Sequence, residues 1–312
     1  MNWHKDAPHA DLVCIGGANI DRKLRTLATL QMGTSNPSVQ FETFGGVARN
    51  VAENLARLGL PTQLISAVGD DAVGRALMAQ AASVGLSTQN TWVAPGAATG
   101  SYTAVLDDNG QMLLALAAMP LTDQLTPRFL KQSSAQRTRA RLTVLDLNLP
   151  AGSVGALLEE AREQGHALVA VAVSEPKMDR LPRELRGLQC LILNRGELQA
   201  LLPDARDDAE AIAALQGRGV QQIVLTQGGD GVICSQAGEP TRHLPAPAVE
   251  VVDVTGAGDA FAAGVCVGLY QSPHDLAAAC KIGLRLAALT LQTTATVHPE
   301  LGPAWLSAHQ DS

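Results

Sequence analysis

The sequence predicts an α/β fold, with a doubly wound, mostly parallel sheet and a small β-sheet lid. Hydrophobic residues make up 46% of the 312 residues and aromatic residues only 3%, which predicts a core of Ala, Val, Leu and Ile. Such a core suits parallel strands that helices cover on both faces. Short β-branched runs also alternate with helical patterns along the chain, as they do in βαβ units.

This alternation assigns most elements to segments of the chain. Strands are predicted at 12–15, 63–68, 142–147, 167–173, 190–193 and 221–226. Helices are predicted at 47–58, 71–84, 153–164, 208–218 and 275–291, and a further helix follows Asp259, where Phe261, Val265 and Leu269 lie four residues apart.

Two segments interrupt the alternation and predict the lid. Residues 17–44 are too long for a βα loop and are rich in strand-forming residues, whereas residues 101–117 predict a hairpin with its turn at Asp108-Asn109-Gly110. We therefore predict an α/β core formed by 11–16, 45–99 and 119–312, and a discontinuous lid formed by 17–44 and 100–118.

Composition narrows the possible partners. The net charge is −7, and the densest basic group (Arg137, Arg139 and Arg141) favours a solvated helix end over a nucleic-acid groove. The five cysteines are scattered, which favours a reducing compartment. Residues 1–11 lack an apolar signal core, and no run approaches the ~20 apolar residues that span a bilayer. We expect a cytoplasmic protein with no nucleic-acid or membrane partner.

The most informative motif is DVTGAGDAF at 253–261. The N–H groups of Gly256, Ala257 and Gly258 precede an apolar helix, and such groups at a helix start bind anions. A carboxylate at the same place, Asp259, weakens the binding of a resting anion and therefore needs a chemical reason. Proton abstraction from a hydroxyl that attacks a phosphoryl group is such a reason. We expect Asp259 to be ionised at neutral pH; a simple helix cap is the alternative.

Two polar groups near the first strand could bind a sugar. Asn19 and Asp21 follow that strand and are two residues apart, so that on an extended chain they share one face. Ligands of open α/β sheets bind beyond the carboxyl ends of the strands. Gly45, Gly46 and Asn50 open the next helix and could approach a ribose hydroxyl. An Asx turn and an ordinary glycine turn are the alternatives for the two groups.

Two further motifs follow later strands. Asn194 and Glu197 form an N-x-x-E pattern in which Glu197 could act on Mg²⁺ through water, or simply cap a helix. Residues 226–231 read TQGGDG and suit the ribose and phosphates of a nucleotide. A hairpin turn is the alternative there, because a strand-like run follows.

Together these motifs resemble the PfkB family of ribokinase-like carbohydrate kinases over residues 12–297. The resemblance implies ATP as the donor, a divalent cation such as Mg²⁺, and a small sugar or nucleoside as acceptor. It assigns the base to Asp259 and the anion hole to Gly256, Ala257 and Gly258. It places Asn19, Asp21, Gly45, Gly46, Asn50 and Asn148 at the sugar, and Asn194, Glu197, Thr226, Gly228 and Gly231 at ATP and Mg²⁺. It also matches Asp253 and Thr255 to a monovalent-cation loop, which implies K⁺.

Three segments are most similar to the pseudouridine kinases of this family: 35–37, 45–50 and 100–107, the last of which brings Thr103 towards the base or ribose. The expected reaction is phosphorylation of a nucleoside 5′-hydroxyl, and we expect a homodimer formed through the lid. Ala117-Ala118 and Val171-Ala172 depart from that pattern by lacking polar groups. Another nucleoside, ribose or a fructose derivative is the alternative substrate, and a non-catalytic sensor of a nucleoside or sugar is the alternative function.

Overall fold

The computed structural model describes residues 10–309. Its strands are β1 (Leu12–Ile15), β2 (Asn19–Thr26), β3 (Ser38–Gly45), β4 (Thr62–Ile65), β5 (Ala67–Gly69), β6 (Trp92–Ala94), β7 (Ser101–Leu106), β8 (Met112–Ala118), β9 (Leu142–Asp146), β10 (Leu168–Val171), β11 (Cys190–Asn194), β12 (Gln222–Thr226), β13 (Val232–Gln236) and β14 (Arg242–Leu244). Its α-helices are α1 (Val47–Arg57), α2 (Ala72–Ser83), α3 (Pro127–Leu130), α4 (Ser134–Arg137), α5 (Ala151–Gln164), α6 (Arg195–Leu201), α7 (Asp208–Gly217), α8 (Ala257–Gln271), α9 (Leu276–Thr290) and α10 (Pro303–His309).

The main sheet has eight strands in the order β14-β13-β12-β11-β10-β9-β1-β4. From β4 to β12 all neighbours are parallel, and β13 and β14 add an antiparallel edge. This arrangement confirms the predicted doubly wound α/β fold. The carboxyl ends of the parallel strands share one edge of the sheet, which is where ligands of open α/β sheets bind.

The core lies on both faces of this sheet, as the continuous apolar strands predict. All four residues of β1 are completely buried. Leu12 and Cys14 pack on the face with α1, α8 and α9, whereas Val13 and Ile15 pack on the face with α5 and α7. α1 and α8 therefore bury their apolar sides against the strand layer, and both begin at the carboxyl edge, where Asn50 of α1 contacts Asp259 of α8.

One predicted strand is two separate strands. The prediction for 63–68 covers β4 and then β5, which leaves the main sheet and pairs with β6. Between them the Ser66 hydroxyl donates to the Gly16 carbonyl at 2.6 Å, and the Ser66 carbonyl accepts from the Trp92 N–H at 2.9 Å. These polar contacts redirect a chain whose hydrophobic pattern is continuous.

A smaller sheet contains four strands in the order β3-β2-β7-β8. It uses the two segments that interrupt the alternation, and Asp107 holds the hairpin turn by accepting from the N–H groups of Asn109 and Gln111. The division of the chain into a core and a discontinuous lid remains a prediction. The last residues of the predicted core, 310–312, lie outside the described residues, as do residues 1–9.

Arg137 does not lie at a solvated helix end. It is buried, donating to the Leu130 carbonyl at 2.8 Å and to the Glu160 carboxylate at 2.6 Å. The buried positive charge is tolerated there because it is paired with Glu160 and hydrogen-bonded. Within residues 10–309, no helix combines the length and the apolar character needed to cross a membrane.

Candidate active site

The start of α8 forms an open turn at the carboxyl edge of the main sheet. Gly256 has φ 82°, and a Cβ at this residue would lie 2.0 Å from the Thr296 carbonyl oxygen, so the turn requires glycine. The first N–H groups of a helix have no partner within the helix. No atom lies within 4 Å of where a Cβ of Gly258 would be, so an anion has room to approach these groups.

Asp259 lies in the first turn of α8, and its side chain is half-buried. Its Oδ2 accepts a hydrogen bond from Asn50 Nδ2 at 2.7 Å. The pKa of Asp259 is raised to about 7, mainly by burial; the hydrogen bond from Asn50 opposes this rise, and the nearby carboxylates of Asp146 and Asp21 add to it. We expected an ionised group from the helix start; burial instead brings the pKa close to neutral pH, so both protonation states are present there. A carboxyl with a pKa near 7 is suited to accepting a proton.

A fully buried carboxylate, Asp146, organises the turns around this site. Its Oδ2 accepts from the N–H groups of Gly17 and Ala48, both at 2.9 Å, and from Asn148 Nδ2 at 3.0 Å. Its Oδ1 accepts from the Asn148 N–H at 2.9 Å. Asp146 thereby joins the end of β1, the start of α1 and the end of β9. The sequence analysis missed this residue, although an Asp ending an apolar strand was an available signal.

Asn19 and Asp21 form a pair, as their spacing predicts. Asn19 Nδ2 donates to Asp21 Oδ1 at 2.6 Å. A Cβ at Gly45 would lie 2.1 Å from Asp21 Oδ2, and a Cβ at Gly46 would lie 2.3 Å from the Gly17 carbonyl oxygen. Gly45 therefore lets the end of β3 pack against Asp21, and Gly46 lets the start of α1 approach the loop between β1 and β2. Burial raises the pKa of Asp21, which the Asn19 hydrogen bond only partly offsets.

Arg49 is a second residue that the sequence analysis missed. It is 2% exposed, and its guanidinium donates to the Phe44 carbonyl and to Asn50 Oδ1, each at 2.8 Å. It also pairs with Glu53, one helical turn later. The guanidinium thus holds the Asn50 amide in the orientation that contacts Asp259. The Arg and Glu four residues apart on α1 were the signal.

Asn148 lies at one wall of a cavity of about 280 Å³. Met119 and Pro120 form an apolar part of this cavity, and Lys177 and Arg180 line another part. Lys177 Nζ donates to Asn148 Oδ1. Burial lowers the pKa of Lys177, and the nearby Asp146 partly offsets this effect. Since Asn148 and Asp146 are hydrogen-bonded, the cavity adjoins the turns around Asp259.

Thr103 lies on the opposite face of the smaller sheet from Asp21. In the register of β2 and β7, Asp21 pairs with Tyr102 and Thr103 pairs with Arg22. On the other side Thr103 pairs with Leu116, which is 65% exposed. Successive side chains point to opposite faces, so a step of one residue reverses the direction. The structure therefore corrects the prediction for Thr103, and Tyr102 is the residue that shares the face of Asp21.

Asn194 and Glu197 form a capping box at the start of α6. Asn194 Oδ1 accepts from the Glu197 N–H at 2.9 Å, and Glu197 Oε2 accepts from the Asn194 N–H at 2.8 Å. Burial raises the pKa of Glu197 against the effect of this hydrogen bond. The cap involves only one carboxylate oxygen of Glu197, so its donor set is compatible with a hydrated Mg²⁺. Among the described residues, no group of three or more His, Cys, Asp or Glu side chains could hold a metal ion directly.

Thr226 ends β12 beside Asn194, since the two residues pair across β11 and β12. The following turn has positive φ at Gly228 (60°) and Gly231 (99°). A Cβ at Gly231 would lie 2.1 Å from the Leu244 carbonyl oxygen, whereas a Cβ at Gly228 would meet no atom within 4 Å. Gly231 is therefore needed for packing against β14, and Gly228 borders open space. The turn and the cap of α6 form one continuous surface.

Asp253 and Thr255 contact a lysine of the smaller sheet. Lys23 Nζ lies 2.8 Å from both Asp253 Oδ2 and Thr255 Oγ1. Asp253 and Thr255 are the residues that the family resemblance matches to a monovalent-cation loop. The residues present do not fit a free cation while the Lys23 ammonium occupies this position.

Comparison with known proteins identifies the family. The model of the pfkB family of carbohydrate kinases matches residues 9–301. The chain belongs to this family. Pseudouridine kinase of Escherichia coli (strain K12) is 32% identical to this PfkB protein over 298 residues, which is 94% of each chain. PfkB proteins are phosphotransferases that act on hydroxyl groups of sugars or nucleosides.

Two solved structures share the fold. A carbohydrate kinase from Agrobacterium tumefaciens is 31% identical, with a TM-score of 0.83 that covers 96% of this chain and 97% of that chain. Arabidopsis thaliana ribokinase, complexed with ribose and ATP, has a TM-score of 0.83 at 20% identity and covers 97% of this chain and 99% of its own. The second comparison concerns the fold alone.

Proposed function

We propose that this PfkB protein transfers the γ-phosphoryl group of ATP to the 5′-hydroxyl of a ribonucleoside, with pseudouridine as the preferred substrate. The main support for the proposal is that Asp259, whose pKa is about 7, lies at the open start of α8. The carboxylate and the N–H groups at the start of α8 share one turn, in which the Ala257 N–H makes a 3.3 Å hydrogen bond to the Val254 carbonyl. This turn can therefore take up a proton and stabilise phosphoryl charge at the same place.

In the proposed mechanism, Asp259 accepts the proton of the 5′-hydroxyl as its oxygen attacks the γ-phosphorus. The bond to the β-phosphate oxygen breaks, and ADP leaves. The N–H groups of Gly256, Ala257 and Gly258 face the negative charge on the transferring group. Asn19 and Asp21 hold the sugar hydroxyls close to the turn, and Gly45 and Gly46 allow the sugar to approach. Asn50 orients the Asp259 carboxylate through its 2.7 Å hydrogen bond, in addition to the proposed contact with the sugar.

ATP is proposed to lie along the surface formed by the cap of α6 and the turn after β12. Open space at Gly228 allows a phosphate or ribose to approach the backbone, and Thr226 and Asn194 lie side by side there. Glu197 would act on Mg²⁺ through water, because its carboxylate is already engaged in the capping box. When bound, Mg²⁺ neutralises charge on the phosphates.

The cavity next to Asn148 supports a nucleoside over a free sugar. Its volume of about 280 Å³ adjoins the sugar-binding turns, and an apolar wall at Met119 and Pro120 suits a planar base. The Lys177 ammonium can donate hydrogen bonds to the carbonyl oxygens of a uracil ring. The similarity to pseudouridine kinase gives the same substrate class.

A substrate panel tests the proposal. Pseudouridine, uridine, guanosine, ribose and fructose are each incubated with ATP, and ADP formation is measured. We expect kcat/KM for pseudouridine to exceed that for ribose by at least about tenfold, since unpaired buried polar groups penalise a ligand that lacks the base. ADP formation with none of the five would argue for a non-catalytic sensor.

The Lys177→Met variant, assayed with pseudouridine and with ribose, tests whether the nucleoside base binds in the cavity lined by Lys177. Removing the ammonium is expected to lower kcat/KM for pseudouridine about tenfold, because a hydrogen bond to a charged donor contributes about 1.5–3 kcal/mol. Ribose turnover should fall less, since ribose depends on Lys177 only through Asn148. Lys131→Met, at an exposed lysine, is the matched control. An equal loss for both substrates would place the base elsewhere.

Ribose is the second candidate substrate. Ala117 and Ala118, at the end of β8, offer no polar side chain to discriminate between bases. A site with few such groups discriminates weakly. In that case the panel gives ribose a kcat/KM equal to or above that of every nucleoside.

The pH dependence of kcat/KM tests the protonation of Asp259. The base must be ionised to act, so activity is expected to rise with pH through a midpoint near 7 and then level off. Asn50→Ala removes the hydrogen bond that lowers the pKa of Asp259, so its midpoint should move to higher pH. Asn109→Ala, in the exposed hairpin turn, should keep the wild-type midpoint. A wild-type rate that is flat between pH 5 and 8 would contradict this assignment.

A second copy of this chain is proposed to cover the edge of the smaller sheet. β8 is an edge strand that is exposed along its whole length, and Leu116 is 65% exposed. Exposed apolar edges are normally covered by another strand or chain. These features support a homodimer formed through the smaller sheet.

A further inference from the structure

Lys23 links the smaller sheet to the loop that precedes the anion-binding turn. It lies on β2, two residues after Asp21 and on the same face of that strand. Its Nζ donates to Asp253 Oδ2 and to Thr255 Oγ1, both at 2.8 Å. Thr255 immediately precedes Gly256, so a contact at Thr255 acts directly on the backbone of the turn.

The side-chain oxygens of Asp253 and Thr255 are all engaged. Asp253 Oδ1 accepts from the Thr255 N–H at 2.8 Å and from the Thr255 hydroxyl at 2.7 Å. Burial acts to raise the pKa of Asp253, but the hydrogen bonds from Lys23 and Thr255 outweigh it and hold this pKa below its usual value. The Asp253 carboxylate, the Lys23 ammonium and the Thr255 hydroxyl are therefore all in contact with one another.

Apolar packing contributes little to this loop. Val251, Val252 and Val254 are 55%, 56% and 71% exposed. Since these side chains face solvent, the conformation of the loop depends on its polar contacts. The Lys23 ammonium supplies a positive charge at the centre of these contacts. A bound monovalent cation would supply the same charge at this position.

We propose that Lys23 is a built-in replacement for a monovalent cation, which positions the anion-binding turn and makes catalysis independent of added K⁺. The proposal rests on the kinase function proposed above. Lys23 is a positioning residue, because its contacts are with Asp253 and Thr255 and not with the reacting groups. It also makes the geometry of the turn dependent on the position of the smaller sheet, which carries Asp21 to the sugar.

The test compares wild type with Lys23→Met in KCl and in tetramethylammonium chloride at equal ionic strength. Wild-type initial rates are expected to agree within about twofold between the two salts. The Lys23→Met variant should lose at least about tenfold of its rate in tetramethylammonium chloride, and KCl should restore much of it, because K⁺ can occupy the vacated position. Arg22→Met is the matched control, since Arg22 lies on the opposite face of β2 and pairs with Glu42.

Melting temperatures without substrate give an independent result. A cation that binds only the folded state raises the melting temperature, so KCl should stabilise Lys23→Met and leave wild type and Arg22→Met unchanged. If no substrate is phosphorylated in either salt, the kinase proposal fails while this comparison still decides the role of Lys23. A wild-type enzyme that requires KCl, or a Lys23→Met variant that responds to KCl in neither rate nor melting temperature, would overturn the inference.

Discussion

Asp259→Asn is expected to lower kcat by about 10²–10⁴-fold, the usual contribution of a positioned general base. The amide has nearly the same shape as the carboxylate, but it cannot accept the proton of the attacking hydroxyl. The substrate contacts proposed for Asn19 and Asp21 are unchanged. The variant should therefore bind the nucleoside with an affinity within a few-fold of wild type.

Single-turnover rates and nucleoside binding by calorimetry measure the two effects separately. Asp70→Asn, at an exposed carboxylate before α2, serves as the control and should keep the wild-type rate. If Asp259→Asn kept full activity, Asp259 would not be the general base. An equal loss of binding and rate would instead indicate that Asp259 holds the substrate.

Asp146→Ala is expected to destabilise the protein by about 3 kcal/mol or more, since each buried donor left without an acceptor costs about 1–3 kcal/mol. The N–H groups of Gly17 and Ala48 and both nitrogens of Asn148 donate to this carboxylate. A Cβ at Gly16 would lie 2.2 Å from Asp146 Oδ1, so the carboxylate is also tightly packed. Its loss should loosen three turns that meet at the site.

Urea unfolding measures this effect through the midpoint at constant m-value. Asp123→Ala, at a side chain that is 64% exposed, is the matched control and should change the stability by less than about 0.5 kcal/mol. Asp146→Asn keeps one acceptor oxygen and should fall between the two. A loss below about 1 kcal/mol for Asp146→Ala would contradict the role given to these hydrogen bonds.

Much of the fold could be predicted from the sequence because its signals are local. The buried run of β1 and the helical spacing of α8 are each contained within a few residues. The hairpin of β7 and β8 was equally readable from its turn. The break between β4 and β5 was not, since it depends on a contact between Ser66 and Gly16, 50 residues away.

The parts of the candidate site that lie close together in sequence were also predictable. The turn at 256–259 consists of consecutive residues, and Asn19 and Asp21 are two residues apart on one strand. Asp146 and Lys23 were missed because their partners are distant: Gly17 is 129 residues from Asp146, and Asp253 is 230 residues from Lys23. No periodicity or spacing encodes such pairings.

Burial was the other quantity that the sequence did not contain. The pKa of Asp259 follows from desolvation by surrounding protein and not from its position on the helix alone. Arg137 likewise pairs with Glu160 inside the protein, although its neighbours in sequence are polar. The face of Thr103 depends on strand register, which the hairpin turn alone did not fix relative to β2.

The central claim is that the Asp259 turn transfers a phosphoryl group from ATP to a nucleoside 5′-hydroxyl. The most direct measurement is the ³¹P NMR spectrum of the product formed from ATP and pseudouridine. We expect ADP and one phosphomonoester whose signal is split by the two hydrogens on C5′. Formation of ADP and inorganic phosphate with unchanged pseudouridine, or a phosphomonoester coupled to a single ring hydrogen, would contradict it.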